Sequence, residues 1–135
     1  QRELALSLIE RLPISANGTG VATGIVSFTA VPKVILPLGG GRDKAEIRSA
    51  IESIEYRGGS TLTAQAVDLS VDDLLRGRRK DALQVVVLMN DGISQDTWDR
   101  VLSASERLAS TKSERFGVAL GSEVGYVHRL FAHRD

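Results

Sequence analysis

The feature that most limits what this chain can fold into is the run from Leu83 to Gln95, LQVVVLMNDGISQ. Its apolar part ends abruptly in Asn90, Asp91 and Gly92, and a polar segment then leads into a helical pattern. That sequence predicts a buried strand delivering an acid to its C-terminal tip. Ligands of open α/β sheets bind beyond the carboxyl ends of the strands, so Asp91 stands where such a fold puts its chemistry.

The flanking segments supply the fold class. From Gln1 to Leu12, the residues Leu4, Ala5, Leu8, Ile9 and Leu12 follow the spacing of an amphipathic helix, which Pro13 stops. After a turn at Asn17 to Gly20, GVATGIVSFT predicts a strand ending near Phe28, and Lys33 to Leu38 predicts another. Their short connection permits antiparallel pairing. Pro32 and Pro37 mark the second as an edge strand, because proline cannot donate to a ladder. Asp43 and Glu46 form a capping-box variant that opens a helix striped by Ile47, Ala50, Ile51 and Ile54. The loop YRGGST precedes a helix over 63–76 with Val67, Val71, Leu74 and Leu75 on one face, and 77–81 reads as a basic, exposed turn. Beyond the central strand, a helix over 96–110 is expected to turn Trp98, Val101, Leu102, Ser105 and Leu108 inward. A strand over 116–120 and a helix over 124–133 complete the series. Strands alternating with helices predict a doubly wound, mostly parallel α/β sheet with helices on both faces.

With 135 residues, the chain suffices for one domain with a real core. Its 17 Lys and Arg balance 17 Asp and Glu, so net charge draws it neither to nucleic acid nor to an anionic membrane. No run approaches the roughly 18 apolar residues that span a bilayer. The lack of cysteine excludes disulfides, thiol catalysis and cysteine-type zinc sites. Asn17-Gly18-Thr19 is an N-glycosylation acceptor pattern, although Asn-Gly is equally good turn chemistry.

Several motif matches fail on context. Gly18, Gly20 and Gly24 precede a strand instead of opening a helix, so they do not make a dinucleotide loop. The segment from Gly39 to Lys44 lacks the GxxxxGK[ST] frame, and Ser122 is one place off a nucleophile elbow. His128 and His133 miss the i, i+4 spacing with which one helix presents two metal ligands. His133-Arg134-Asp135 lacks the Asn that follows in a kinase catalytic loop.

Two segments remain. Gly58-Gly59-Ser60-Thr61-Leu62-Thr63 puts hydroxyls on a loop at a helix start, and Asn90-Asp91-Gly92 puts a carboxylate on a strand tip. Hard divalent cations take oxygen ligands, and magnesium typically uses only one or two protein carboxylates. Each segment also has a plain reading, as a helix N-cap and as a turn.

Together and in this order, the two resemble the von Willebrand factor A family, whose metal-ion-dependent adhesion site is built from three separated loops. The likeness extends through IVSFT, AEIRSAIESIEYRGGSTLTAQAV, VVVLMNDGISQD and RFGVALGSEV, and so covers nearly the whole chain. It implies Thr61 as the metal-site Thr and Asp91 as the metal-site Asp, with Gly59, Ser60, Asn90 and Gly92 on the rim. Asn90 departs from the Thr or Ser common before the Asp. The larger departure is that no DxSxS motif precedes the Thr loop. The family's strand order, 3-2-1-4-5-6, then implies an upstream central strand that carries three of the five side-chain ligands. On this expectation residues 1–135 are a single partial domain whose sheet is incomplete, prone to aggregate or swap a strand when expressed alone.

The resemblance implies a binding module, not an enzyme. Mg²⁺ or Mn²⁺, held by Asp91, Thr61 and the upstream motif, would take a carboxylate from a protein partner, collagen or another matrix protein, in a secreted or cell-surface setting. The rival readings are an intracellular module of the same family serving an ATPase-associated or other multiprotein complex, and an α/β phosphohydrolase using Asp91. The last lacks a base, a phosphate loop and a second strand-tip acid.

Overall fold

The computed structural model describes residues 2–14, 20–28, 31–40, 42–54, 62–90 and 96–119. The chain order is α1 (Arg2–Arg11), β1 (Thr23–Ser27), β2 (Lys33–Gly39), α2 (Lys44–Glu52), α3 (Thr63–Gly77), β3 (Val85–Asn90), α4 (Trp98–Ser110) and β4 (Glu114–Ala119). The expected helix over 124–133 lies outside the described residues.

β1 and β2 pair antiparallel, with Val26 opposite Val34 and a register irregularity between Thr23 and Val26. β3 and β4 pair in parallel from Val85 and Glu114 to Asn90 and Ala119. Among the described residues the two ribbons do not hydrogen-bond to each other. The order that the resemblance implies, 3-2-1-4-5-6, contains both pairings, 3-2 and 4-5. β2, which carries Pro37, pairs with β1 alone among the described residues.

Helices cover the ribbons from two sides. On one side α3 and α4 close a core of Ala64, Val67, Val71, Val101, Ala104 and Leu108 over Leu88, with Phe28 and Val86 packed against it. On the other, α1 and α2 bring Ile9, Ile47 and Ile51 together against Ile25 and Leu36. Asp43 caps α2, its Oδ1 accepting from the Glu46 N–H at 2.8 Å, as the capping box predicts. The exposed guanidinium of Arg107 on α4 joins the two helices of its layer, binding Asp72 and, at 3.1 Å, the Asp68 carbonyl on α3. The hydrogen bond to the Asp72 carboxylate raises the Arg107 pKa.

Four burial expectations are corrected. The central strand is buried on one face only. Val86 and Leu88 meet the helical core, whereas Val85, Val87 and Met89 share the opposite face with Phe116 and Val118. That face borders Leu4 and Leu8 of α1 around a cavity of about 300 Å³, and Phe116 is 55% exposed. Leu83, expected to begin the strand, precedes it and is 79% exposed. Trp98 is 53% exposed: with 100° between successive residues, it falls on the margin of the stripe formed by Val101, Ala104, Ser105 and Leu108. Leu75, on the margin of α3 in its last turn, is likewise exposed.

Candidate functional site

The site sought from the sequence lies where β3 ends and α3 begins. Asn90 closes β3 opposite Ala119. Thr63 opens α3, and it and Ala64 are fully buried. Gly59, Ser60, Thr61, Asp91 and Gly92 lie outside the described residues, as does Asn17; of Asn90 the backbone alone is described. What the structure defines is the frame from which the two loops spring.

That frame rests on α3, which is fixed at both ends by polar bonds to distant parts of the chain. At its C-terminal end, Asp73 Oδ2 accepts from the Leu38 N–H of β2 at 2.9 Å, while Arg76 donates to Asp73 Oδ1 at 2.7 Å and to the Leu38 carbonyl at 3.3 Å. Two glycines permit this approach. A Cβ on Gly24 would stand 2.7 Å from Asp73 Oδ2, and one on Gly77 would stand 2.5 Å from the Leu38 carbonyl oxygen.

The N-terminal end of α3 is also held from a distant part of the chain. The N-cap position belongs to Leu62, which makes no side-chain capping bond, and the first turn carries no acidic residue. The first four N–H groups of a helix need outside partners, and an anion there also meets the positive end of the helix dipole. Asp96 supplies both, its Oδ2 accepting from the Ala64 N–H at 2.8 Å. The plain reading of GGSTLT, in which Ser or Thr is the N-cap, falls on Ser60 and Thr61, outside the described residues.

Sequence reasoning missed Asp96. An Asp two residues before α4 reads as that helix's own cap, yet the α4 N-cap is Thr97 and the described Asp96 carboxylate bond runs to α3. The only signal was indirect: α3 needs a cap and the residue at its N-cap cannot act as one.

A divalent cation fits this edge in chemistry, since Thr61 and Asp91 are hard oxygen donors. Among the described residues no group of three or more His, Cys, Asp or Glu is placed to hold a metal ion. The donors would therefore come from the loops. No described helix is long and apolar enough to cross a membrane.

Comparison with known proteins bears on the fold and family. The model of the von Willebrand factor type A domain matches residues 1–130. Cuticlin-6 of Caenorhabditis elegans is 34% identical over 96 residues, 71% of this chain and 16% of that protein. The human collagen alpha-1(XXI) chain is 30% identical over 103 residues, 76% of this chain and 10% of that protein. The chain thus spans less than a fifth of either relative. Among solved structures, the manganese-loaded TRAP protein of Plasmodium vivax superposes with a TM-score of 0.78 at 22% identity, covering 99% of this chain and 55% of that one.

Proposed function

Because the chain belongs to the von Willebrand factor type A domain family, we propose that residues 1–135 are part of one adhesion domain of an extracellular matrix or cell-surface protein, and that it binds a protein ligand through a divalent cation without catalysing a reaction. Thr61 and Asp91 would hold the cation, Mg²⁺ or Mn²⁺, together with a DxSxS motif upstream. Gly59, Ser60, Asn90 and Gly92 would form the rim, and Asn17 would carry a glycan.

The observation that carries this reading is the bond between Asp96 and Ala64. It joins the residue that follows the Asp91 loop to the first turn of the helix that follows the Thr61 loop. Thr61 lies two residues before Thr63 and Asp91 five residues before Asp96, so the bond joins the segments that follow the two donors in sequence. The N-cap position of α3 belongs to Leu62, which makes no side-chain capping bond.

A bound cation supplies an electrophilic coordination position. The hydroxyl of Thr61 is a neutral donor, and Asp91 is the sole carboxylate this chain brings in the proposed set. With few anions around it, a divalent ion retains affinity for a carboxylate from outside. The partner is accordingly an acidic residue on a matrix protein, collagen among them. The manganese carried by the TRAP relative supports a divalent ion in this fold.

Calorimetric titration of the full-length protein with Mn²⁺ tests the reading. Saturable binding is expected, weakened in Thr61→Ala and abolished in Asp91→Ala. Binding unchanged in Asp91→Ala would remove the proposal.

A further inference from the structure

We infer that Asp96 is a positioning residue for the cation site, one that ties the first turn of α3 to the segment leading into α4. The inference rests on the metal-binding reading above and extends it to a residue outside the proposed ligand set. A side chain can cap the helix it precedes at little cost, because the partners are adjacent in sequence. Asp96 instead reaches an N–H group 32 residues away, at 2.8 Å and partly buried. A bond of that span constrains tertiary structure, and here the constraint falls between the first turn of α3 and the segment leading into α4.

The two ends of α3 offer an internal comparison. Asp73 makes a bond of the same kind at the far end, to a β2 amide 35 residues away. Losing either loosens α3, but the Asp96 bond is the one of the two that ties the first turn of α3 to the segment leading into α4. Partners that orient metal ligands typically set affinity by about 10- to 100-fold. The acceptor oxygen matters to this role more than the charge, since Asn in place of Asp keeps an oxygen that can take the Ala64 N–H.

The test compares Mn²⁺ affinity, by calorimetry on folded full-length protein, in Asp96→Ala, Asp96→Asn, Asp73→Ala and Asp91→Ala. Asp96→Ala is expected to bind about 10- to 100-fold more weakly, Asp96→Asn within a few-fold of the unaltered protein, and Asp73→Ala without change. If Asp96→Ala does not fold, Asp96→Glu, which moves the acceptor by one methylene, is expected to weaken binding in its place. Unchanged affinity in Asp96→Ala or Asp96→Glu beside a loss in Asp91→Ala would overturn the positioning role and leave the site intact. An equal loss in Asp73→Ala would reduce Asp96 to a general structural part, and a full loss in Asp96→Asn would make its charge the agent; both overturn the inference. Unchanged affinity in Asp91→Ala would remove the underlying site itself.

Discussion

The Asp96 carboxylate accepts a hydrogen bond from the Ala64 N–H at 2.8 Å, and so caps a helix that begins more than thirty residues earlier. The cap is an anion at a helix N-terminus whose own N-cap residue is Leu62. Losing such a cap costs about 0.5–2 kcal/mol. Asp96→Ala is therefore expected to lower stability by that amount in urea unfolding of the full domain, with Asp96→Asn close to the original protein. An unchanged midpoint in Asp96→Ala would mean that the bond contributes nothing to folding.

The opposite end of α3 makes a steric prediction. Gly77→Ala would put a Cβ 2.5 Å from the Leu38 carbonyl oxygen and 3.0 Å from the Leu38 Cβ, so the helix must withdraw from the strand. Overpacking of this kind typically costs about 1–3 kcal/mol. Gly39→Ala serves as the control, because its Cβ would meet only the Arg42 guanidinium, at an ordinary 3.6 Å from Nη1 and 3.9 Å from Nη2. Thermal melts should separate the two variants; equal melting temperatures would contradict the close approach of α3 to β2.

Ser105 offers a prediction of opposite sign. It is 1% exposed on the buried face of α4, and its Oγ has no hydrogen-bond partner among the described residues. An uncompensated buried hydroxyl costs about 1–3 kcal/mol by protein mutational data, and Ala is the better helix former. Ser105→Ala should raise stability or leave it unchanged. A clear loss would show that the hydroxyl has a partner beyond these residues.

The two ribbons imply how the isolated span behaves. Among the described residues β1 pairs only with β2 and β3 only with β4, and Val85, Val87 and Phe116 are exposed beside the α1 cavity. Unpaired strand edges and open apolar faces promote association. Residues 1–135 expressed alone should elute as oligomers or aggregates and bind a hydrophobic dye. A longer piece that supplies a strand between β1 and β3 should melt cooperatively as a monomer. A sharply melting monomer from the short span would contradict the expected gap in the sheet.

Much of this fold was legible because its signals are local. The stripe of Ile47 and Ile51 and the cap at Asp43 involve residues three or four apart, so periodicity and capping rules read them directly. The one-sided burial of β3 was not legible, because the continuous run of Val85 to Met89 is what a strand covered on both faces would show. Trp98 and Leu75 sit at stripe margins, where neighbouring elements and not helix period decide exposure. For the site, Thr61 and Asp91 were chosen by resemblance to a family pattern. Asp96 and Asp73 went unread because their partners lie 32 and 35 residues away, a distance across which no sequence rule reaches.

The central claim is that the loops framed by Asp96 and Ala64 hold a divalent cation. Anomalous diffraction from crystals of the complete domain grown with Mn²⁺ tests it most directly. The account predicts an anomalous peak against the Asp91 carboxylate and the Thr61 hydroxyl, lost in Asp91→Ala crystals. A complete domain with no peak at that edge under saturating Mn²⁺ would contradict it.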